Sequence, residues 1–150
     1  MNYRRSSITG SLFSLLLLAS PAIYAASGAP ARDSLAHKLA EIDEGRVMEP
    51  SSIEAYRARA ALSGAERTCT ADVEMLADQV VRLSQILKKD GIYSRPVDML
   101  EGLKAIYEGS PKKIDCSNGL IQYATVRKNA GFTHSEAVAA LRVLFNKLGS

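Results

Sequence analysis

Two cysteines, two histidines and a scatter of carboxylates are the residues of this 150-residue chain that could do chemistry. Cys69 and Cys116 stand 47 positions apart, with no C-x-x-C spacing and no histidine beside either, so a metal-binding or redox-active thiol pair lacks its usual partners. His37 and His134 are remote from each other, and neither stands one helical turn from a second histidine or cysteine, so no metal site is indicated. Ser-His-Asp chemistry needs a nucleophile on a sharp turn such as G-x-S-x-G, and no such turn occurs. Gly102, Gly109, Gly119 and Gly131 are isolated, which excludes a glycine-rich phosphate loop and leaves packing or helix termination as their reason. The pairs Asp98/Glu101 and Glu41/Glu44 each share a helix face and could in principle cleave a sugar bond. Acidic residues are evenly mixed with basic ones, however, so both pairs read as solvated helix surface. No catalytic set, metal or cofactor is expected.

The start of the chain bears on where this chemistry would operate. Residues 1–25, MNYRRSSITGSLFSLLLLASPAIYA, have Arg4 and Arg5, an apolar run from Leu12 to Ala19, then Pro21 and small residues. That is the layout of a secretory signal peptide, with Ile23-Tyr24-Ala25 as the cleavage site and Ser27-Gly28-Ala29 as a second position. The apolar run is too short to span a bilayer, and no cysteine follows it to take a lipid. Removing the leader takes Arg4 and Arg5 with it and leaves 17 basic against 16 acidic residues. A mature chain so nearly neutral offers no electrostatic footprint for nucleic acid or acidic lipid. In an exported protein the two cysteines are expected to form one disulfide, Cys69–Cys116.

The elements that must position these residues all read as helices. Residues 26–32 are small and unpatterned and are expected to be a flexible lead, with a single helical domain over 33–150. Asp33 or Ser34 opens a first helix through Leu35, Leu39 and Ile42 that ends near Gly45 and should be the least firmly docked. Ser51-x-x-Glu54 fits a capping box for a second, through Ile53, Tyr56 and Ala60 to Gly64, whose alanines suggest close packing. From Thr70 to Gly91, Val73, Leu76, Ala77, Val80, Leu83 and Leu87 form one stripe of what is expected to be the central helix. Thr70 is its expected cap, and Gly91-Ile92 its left-handed terminator. Pro96 opens a fourth helix with Val97, Leu100, Leu103, Ile106 and Tyr107 inward. Asp115 or Ser117 caps a fifth, with Leu120, Ile121, Tyr123 and Ala124 inward. Thr133-His134-Ser135-Glu136 is a capping box that puts His134 toward solvent and starts a last helix carrying Val138, Leu141, Leu144, Phe145 and Leu148.

No alternating strand pattern occurs, so the expected fold is all-α, a small irregular or orthogonal bundle of five to six short helices with one disulfide. Apolar residues off the main stripe, Met75 and Ile86, together with Tyr56, Tyr93, Tyr107 and Tyr123, are the candidate surface for a partner. The expected function is an exported, periplasmic or secreted, non-enzymatic protein that binds another protein of the periplasm or envelope. A module for a small apolar ligand or lipid is the alternative, and a small envelope enzyme using dispersed carboxylates a third reading.

Overall fold

The computed structural model describes residues 28–148, and residues 1–25, read above as a signal peptide, lie outside them. Six helices follow in order: α1 (Gly28–Glu44), α2 (Ile53–Thr68), α3 (Val73–Lys89), α4 (Pro96–Ile106), α5 (Cys116–Asn129) and α6 (His134–Leu148). Among the described residues there is no strand, and the expected all-α bundle with one disulfide is what the chain forms. Cys69 and Cys116 are bonded, with Cα atoms 5.4 Å apart. Two short hydrogen bonds, Thr70 N–H to Ile114 O and Ile114 N–H to Thr68 O, both 2.9 Å, hold the same two segments together. The bridge thus ties the end of α2 and the approach to α3 to the start of α5.

Side-chain pairs give the directions of the helices. Arg32 meets Glu66 and Asp33 meets Arg59, so α1 and α2 are antiparallel. Arg57 meets Asp98 and Glu101, while Lys104 packs over Gly64, so α2 and α4 are parallel. Asp90 meets Lys128 at the far ends of α3 and α5, which both start at the disulfide and run parallel.

The helix that every other one touches is α4, not α3. In PVDMLEGLKAI only Asp98, Glu101 and Lys104 are charged, three residues apart on one narrow stripe; Pro96, Val97, Met99, Leu100, Gly102, Leu103 and Ile106 are all buried. A helix apolar nearly all round belongs inside the bundle. The expected stripe of α3 is correct as a stripe, with Val73, Leu76, Ala77, Val80 and Leu87 buried, but it faces inward from one side. Asp98 and Glu101 are not idle surface either. The guanidinium of Arg57 reaches Asp98 at 2.6 Å and both carboxylate oxygens of Glu101 at 2.9 and 2.6 Å, a forked clamp of α2 on α4.

Several expected boundaries and faces shift. Helix α1 begins at Gly28, inside the stretch read as a lead, because Ala29 and Ala31 favour helix and Pro30 falls in the first turn, where its missing N–H costs nothing. It is also firmly docked: Ala36, Leu39, Ala40 and Asp43 are buried, whereas Ile42 is half exposed. Helix α2 starts at the Ser52 cap, whose Oγ accepts from Ala55 N–H at 3.2 Å, and runs past Gly64 to Thr68. Its core face is Ala55, Ala58, Ala61, Leu62 and Ala65, while Ile53 and Tyr56 point outward. Alanines on both α1 and α2 share the core with Leu39 and Leu62, while Ile42, Ile53 and Tyr56 are turned outward. The α3 cap is Asp72, whose carboxylate accepts from Glu74 N–H at 2.8 Å; Thr70 bonds Ile114 O instead. At its other end Gly91, with φ of 75°, allows the pair Gly91 N–H to Lys88 O and Ile92 N–H to Leu87 O, as expected. In α5, Asp115 caps, Leu120 and Tyr123 are inward, and Ile121 is exposed. Gly119 sits so close to Tyr107 that a Cβ there would lie 2.3 Å from the phenol oxygen. In α6, Thr133 and Glu136 form the expected reciprocal box, Ala137 and Leu141 are buried, and Leu144 is about half exposed.

The start of α4 has no cap of its own, since Arg95 makes no side-chain cap bond. Asp43 of α1 supplies it from outside: Oδ1 accepts Val97 N–H at 3.0 Å and Oδ2 accepts Arg95 Nε at 2.7 Å, with the carboxylate almost wholly buried and Glu44 adding a second contact to Arg95. Removing Asp43 leaves the buried Val97 N–H without its acceptor and Arg95 with Glu44 alone, so Asp43→Ala is expected to destabilise by about 2 kcal/mol in urea denaturation. Asp43→Asn, which keeps an oxygen for Val97 N–H, should lose less.

Candidate functional site

Polar side chains from three parts of the chain converge on the phenol of Tyr123. Its oxygen lies 2.9 Å from Ser94 Oγ, 2.9 Å from His134 Nδ1, and 2.8 Å from Arg127 Nη1, which donates to it. Ser94 O in turn accepts from Ser84 Oγ at 2.6 Å, and Arg127 Nη2 donates to Tyr93 O at 2.9 Å. One hydroxyl therefore joins α5 to α6 and to the α3–α4 connection. Tyr123 and Arg127 are one helical turn apart on α5, and His134 is the first residue of α6, so the node exists because the α5–α6 turn folds back. Arg127 is buried without a carboxylate partner among the described residues, and its Nε has no hydrogen-bond acceptor there. The last turn of α5 partly compensates, since helix C-termini carry negative partial charge.

A phenol held by a guanidinium and an imidazole could move a proton. Here the phenol is enclosed, Tyr123 being only 2% exposed, and each contact is to the protein itself. The node fastens helices. His134 is accordingly not the solvent-facing residue expected from its capping-box position: its ring packs on Gly102 of α4 and edge-on to Tyr123. Burial holds its pKa below the usual histidine value; Asp98 and Glu101 pull it up, Arg127 and Arg57 push it down. His37, the other histidine, contacts Met48 O at 2.7 Å and lies 3.6 Å from Glu41 Oε1. Among the described residues no group of three His, Cys, Asp or Glu side chains could hold a metal ion.

The six candidate partner residues divide. Tyr107 and Tyr123 are buried and present no surface; Tyr107 packs edge-on to Phe145 at 4.7 Å. Tyr56, Met75, Ile86 and Tyr93 are exposed. These four stand on three segments of the chain. Tyr56 lies on α2 under the Arg59 guanidinium, 5.0 Å from its ring centre; Tyr93 precedes α4; Met75 and Ile86 lie on α3. Ile86 has a neighbour that the sequence pattern assigns to the core, Ile121 of α5, 64% exposed. Together with Leu83 and Leu120 these isoleucines line an open groove of about 240 Å³ between the parallel helices α3 and α5, edged by Gln79, Arg82 and Ser117. Ser117 Oγ bonds Gln79 Oε1 at 3.1 Å across the rim, and Arg82 pairs with Asp78 at 2.8 Å. Met75 lies on the same helix, four residues before Gln79, and is not part of the groove lining. The signal available in sequence was Ile121 itself, one residue off the Leu120–Tyr123 stripe.

Because the folded-state pKa of His134 is depressed, its stabilising contribution is full above the unfolded value and is lost as pH falls below about 6.5 toward the folded pKa. The midpoint of thermal unfolding should fall between about pH 7.5 and 5.5, and fall less in His134→Asn. Parallel pH profiles for the two proteins would contradict this.

No protein-family model, no curated protein and no solved structure matches this chain, so its functional reading rests on its own residues.

Proposed function

We propose that this chain is an exported, non-enzymatic helical protein that binds another protein, in the periplasm or cell envelope, through the α3–α5 groove. The leader-like residues 1–25 support export, and a buried disulfide suits an oxidising compartment. Cleavage after Ala25 would leave α1 whole, whereas cleavage after Ala29 would remove its first residues. Among the described residues no helix is long and apolar enough to cross a membrane.

The observation that carries the reading is the pair Ile86 and Ile121, both more than half exposed on the walls of one groove with apolar lining and a polar rim. Such a groove between two helices suits the apolar side chains of an amphipathic partner helix, the helix-in-groove mode of recognition. At about 240 Å³ and open to solvent, it is below the usual size of small-molecule pockets, roughly 300–1,000 Å³, which favours side-chain anchors over an apolar ligand. Both isoleucines lie outside the core, so changing them leaves the bundle intact.

The test is capture from the envelope extract of the source cells with the mature chain and with Ile86→Asp/Ile121→Asp in parallel, identified by mass spectrometry. A stoichiometric protein retained by the first and absent from the second is expected. A partner retained equally by both, or none on the unaltered chain, would overturn the reading.

A further inference from the structure

A second cleft, separate from the α3–α5 groove, gathers four cations and one carboxylate. It lies where α2 and α4 end, is about 310 Å³, and is lined by Arg67, Thr68, Lys104, Lys112, Lys113 and Glu108, with Tyr107 and the 109–111 turn completing its wall. Elsewhere Arg32, Arg57, Arg59, Arg82, Arg95, Lys128 and Arg142 each lie within salt-bridge distance of a carboxylate, and the remaining cations are spread along the chain except for the pair Lys88 and Lys89 at the end of α3. The four cations of the cleft have no carboxylate partner among the described residues, and Glu108 is taken up by Arg142 at 3.0 Å. In a mature chain with 17 basic and 16 acidic residues, this is a local excess drawn from an almost neutral whole.

Local structure fixes this arrangement. Lys104 lies on the polar stripe of α4 with its Cδ packed over Gly64, so its ammonium is carried along the cleft wall. The 110–113 turn is held by Ser110 Oγ donating to Lys112 O at 2.7 Å, and Ile114 N–H to Thr68 O fastens the turn's end beside α2. The disulfide one residue beyond Thr68 secures the same junction. Helix C-termini favour nearby cations, which accounts for Arg67 and Lys104 at the ends of α2 and α4. It does not account for Lys112 and Lys113, which are brought in from a loop.

We propose that this cleft is a binding site for a compact phosphate-bearing anion. Lysine binds phosphate as a point charge, four cations on three chain segments suit more than one negative charge, and the Thr68 hydroxyl can add a neutral donor. The volume lies at the lower end of small-ligand sites. A soluble phosphate ester and an anionic lipid headgroup share this chemistry.

Titration of the ¹⁵N-labelled mature protein with inorganic pyrophosphate at low ionic strength tests it, with vesicles of phosphatidylglycerol and of phosphatidylcholine as parallel arms. Amide shifts confined to residues 67–68 and 104–113 are expected, weakened about tenfold in Lys112→Ala/Lys113→Ala. Lys88→Ala/Lys89→Ala removes the same charge at the end of α3 and should leave the affinity within about twofold. Binding to phosphatidylglycerol but not phosphatidylcholine vesicles, lost with Lys112 and Lys113, assigns the headgroup; pyrophosphate binding without vesicle binding assigns a soluble ester. No localised shift up to about 10 mM pyrophosphate and no vesicle binding, or an equal loss in both double variants, overturns the site.

Discussion

Burying α4 on nearly every side is the constraint that the other five helices satisfy. Val97, Met99, Leu100, Leu103 and Ile106 are each nearly inaccessible, and full burial of such a side chain stabilises by about 2 kcal/mol. That burial is available only against the other helices, and an isolated helix this short is marginal in water, so α4 has no reason to form alone. What surrounds it also corrects its polar defects. Asp43 of α1 caps its first turn, Arg57 of α2 holds Asp98 and Glu101, and Gly102 admits the ring of His134 from α6. Each repair comes from a different helix, which couples the bundle through one short element.

That arrangement decides what is left for function. Helices α1, α2 and α6 spend their small or apolar faces on α4 and on one another, and α5 spends Tyr123 and Arg127 on the buried polar node. The parallel pair α3 and α5 meets only along one edge. Beyond that edge Ile86 and Ile121 remain half out of the core with an apolar groove between them. The disulfide holds the starts of both helices together, so the groove has one rigid end. At the same junction the ends of α2 and α4 face the lysine-bearing turn. An apolar groove and a basic cleft are therefore both positioned by the Cys69–Cys116 bridge and the two-residue bridge beside it.

Local signals are legible in the sequence because they act over a few residues. The Thr133–Glu136 box, Pro96 at the first position of α4 and the Gly91–Ile92 terminator all form as their chemistry requires. The disulfide is legible from the cysteine number together with the leader-like start of the sequence. Faces are harder. Large residues read as inward on α1, α2 and α5, yet Ile42, Ile53, Tyr56 and Ile121 are outward, because alanines with Leu39 and Leu62 take the core faces of α1 and α2, and a helix at the bundle's edge has only a narrow stripe to bury. The ranking of α3 over α4 fails for a related reason. A strong two-sided pattern marks a surface helix, and the weaker contrast of PVDMLEGLKAI marks one buried all round. Contacts between distant residues have no sequence signal at all: neither the Asp43 cap on Val97 nor the meeting of Tyr123, Arg127 and His134 follows from periodicity. Of the candidate surface, Ile86 stands out by its place off the α3 stripe, whereas Ile121 is hidden among core positions.

Native-state hydrogen exchange tests the central place of α4 most directly. The amides of Leu100, Leu103 and Ile106 should exchange only through global unfolding, with an opening free energy equal to that from urea denaturation, while those of α6 open at lower cost. If the α4 amides exchanged through a cheaper local opening while those of Leu76 and Val80 in α3 persisted to the global limit, α3 rather than α4 would be the element that organises the bundle.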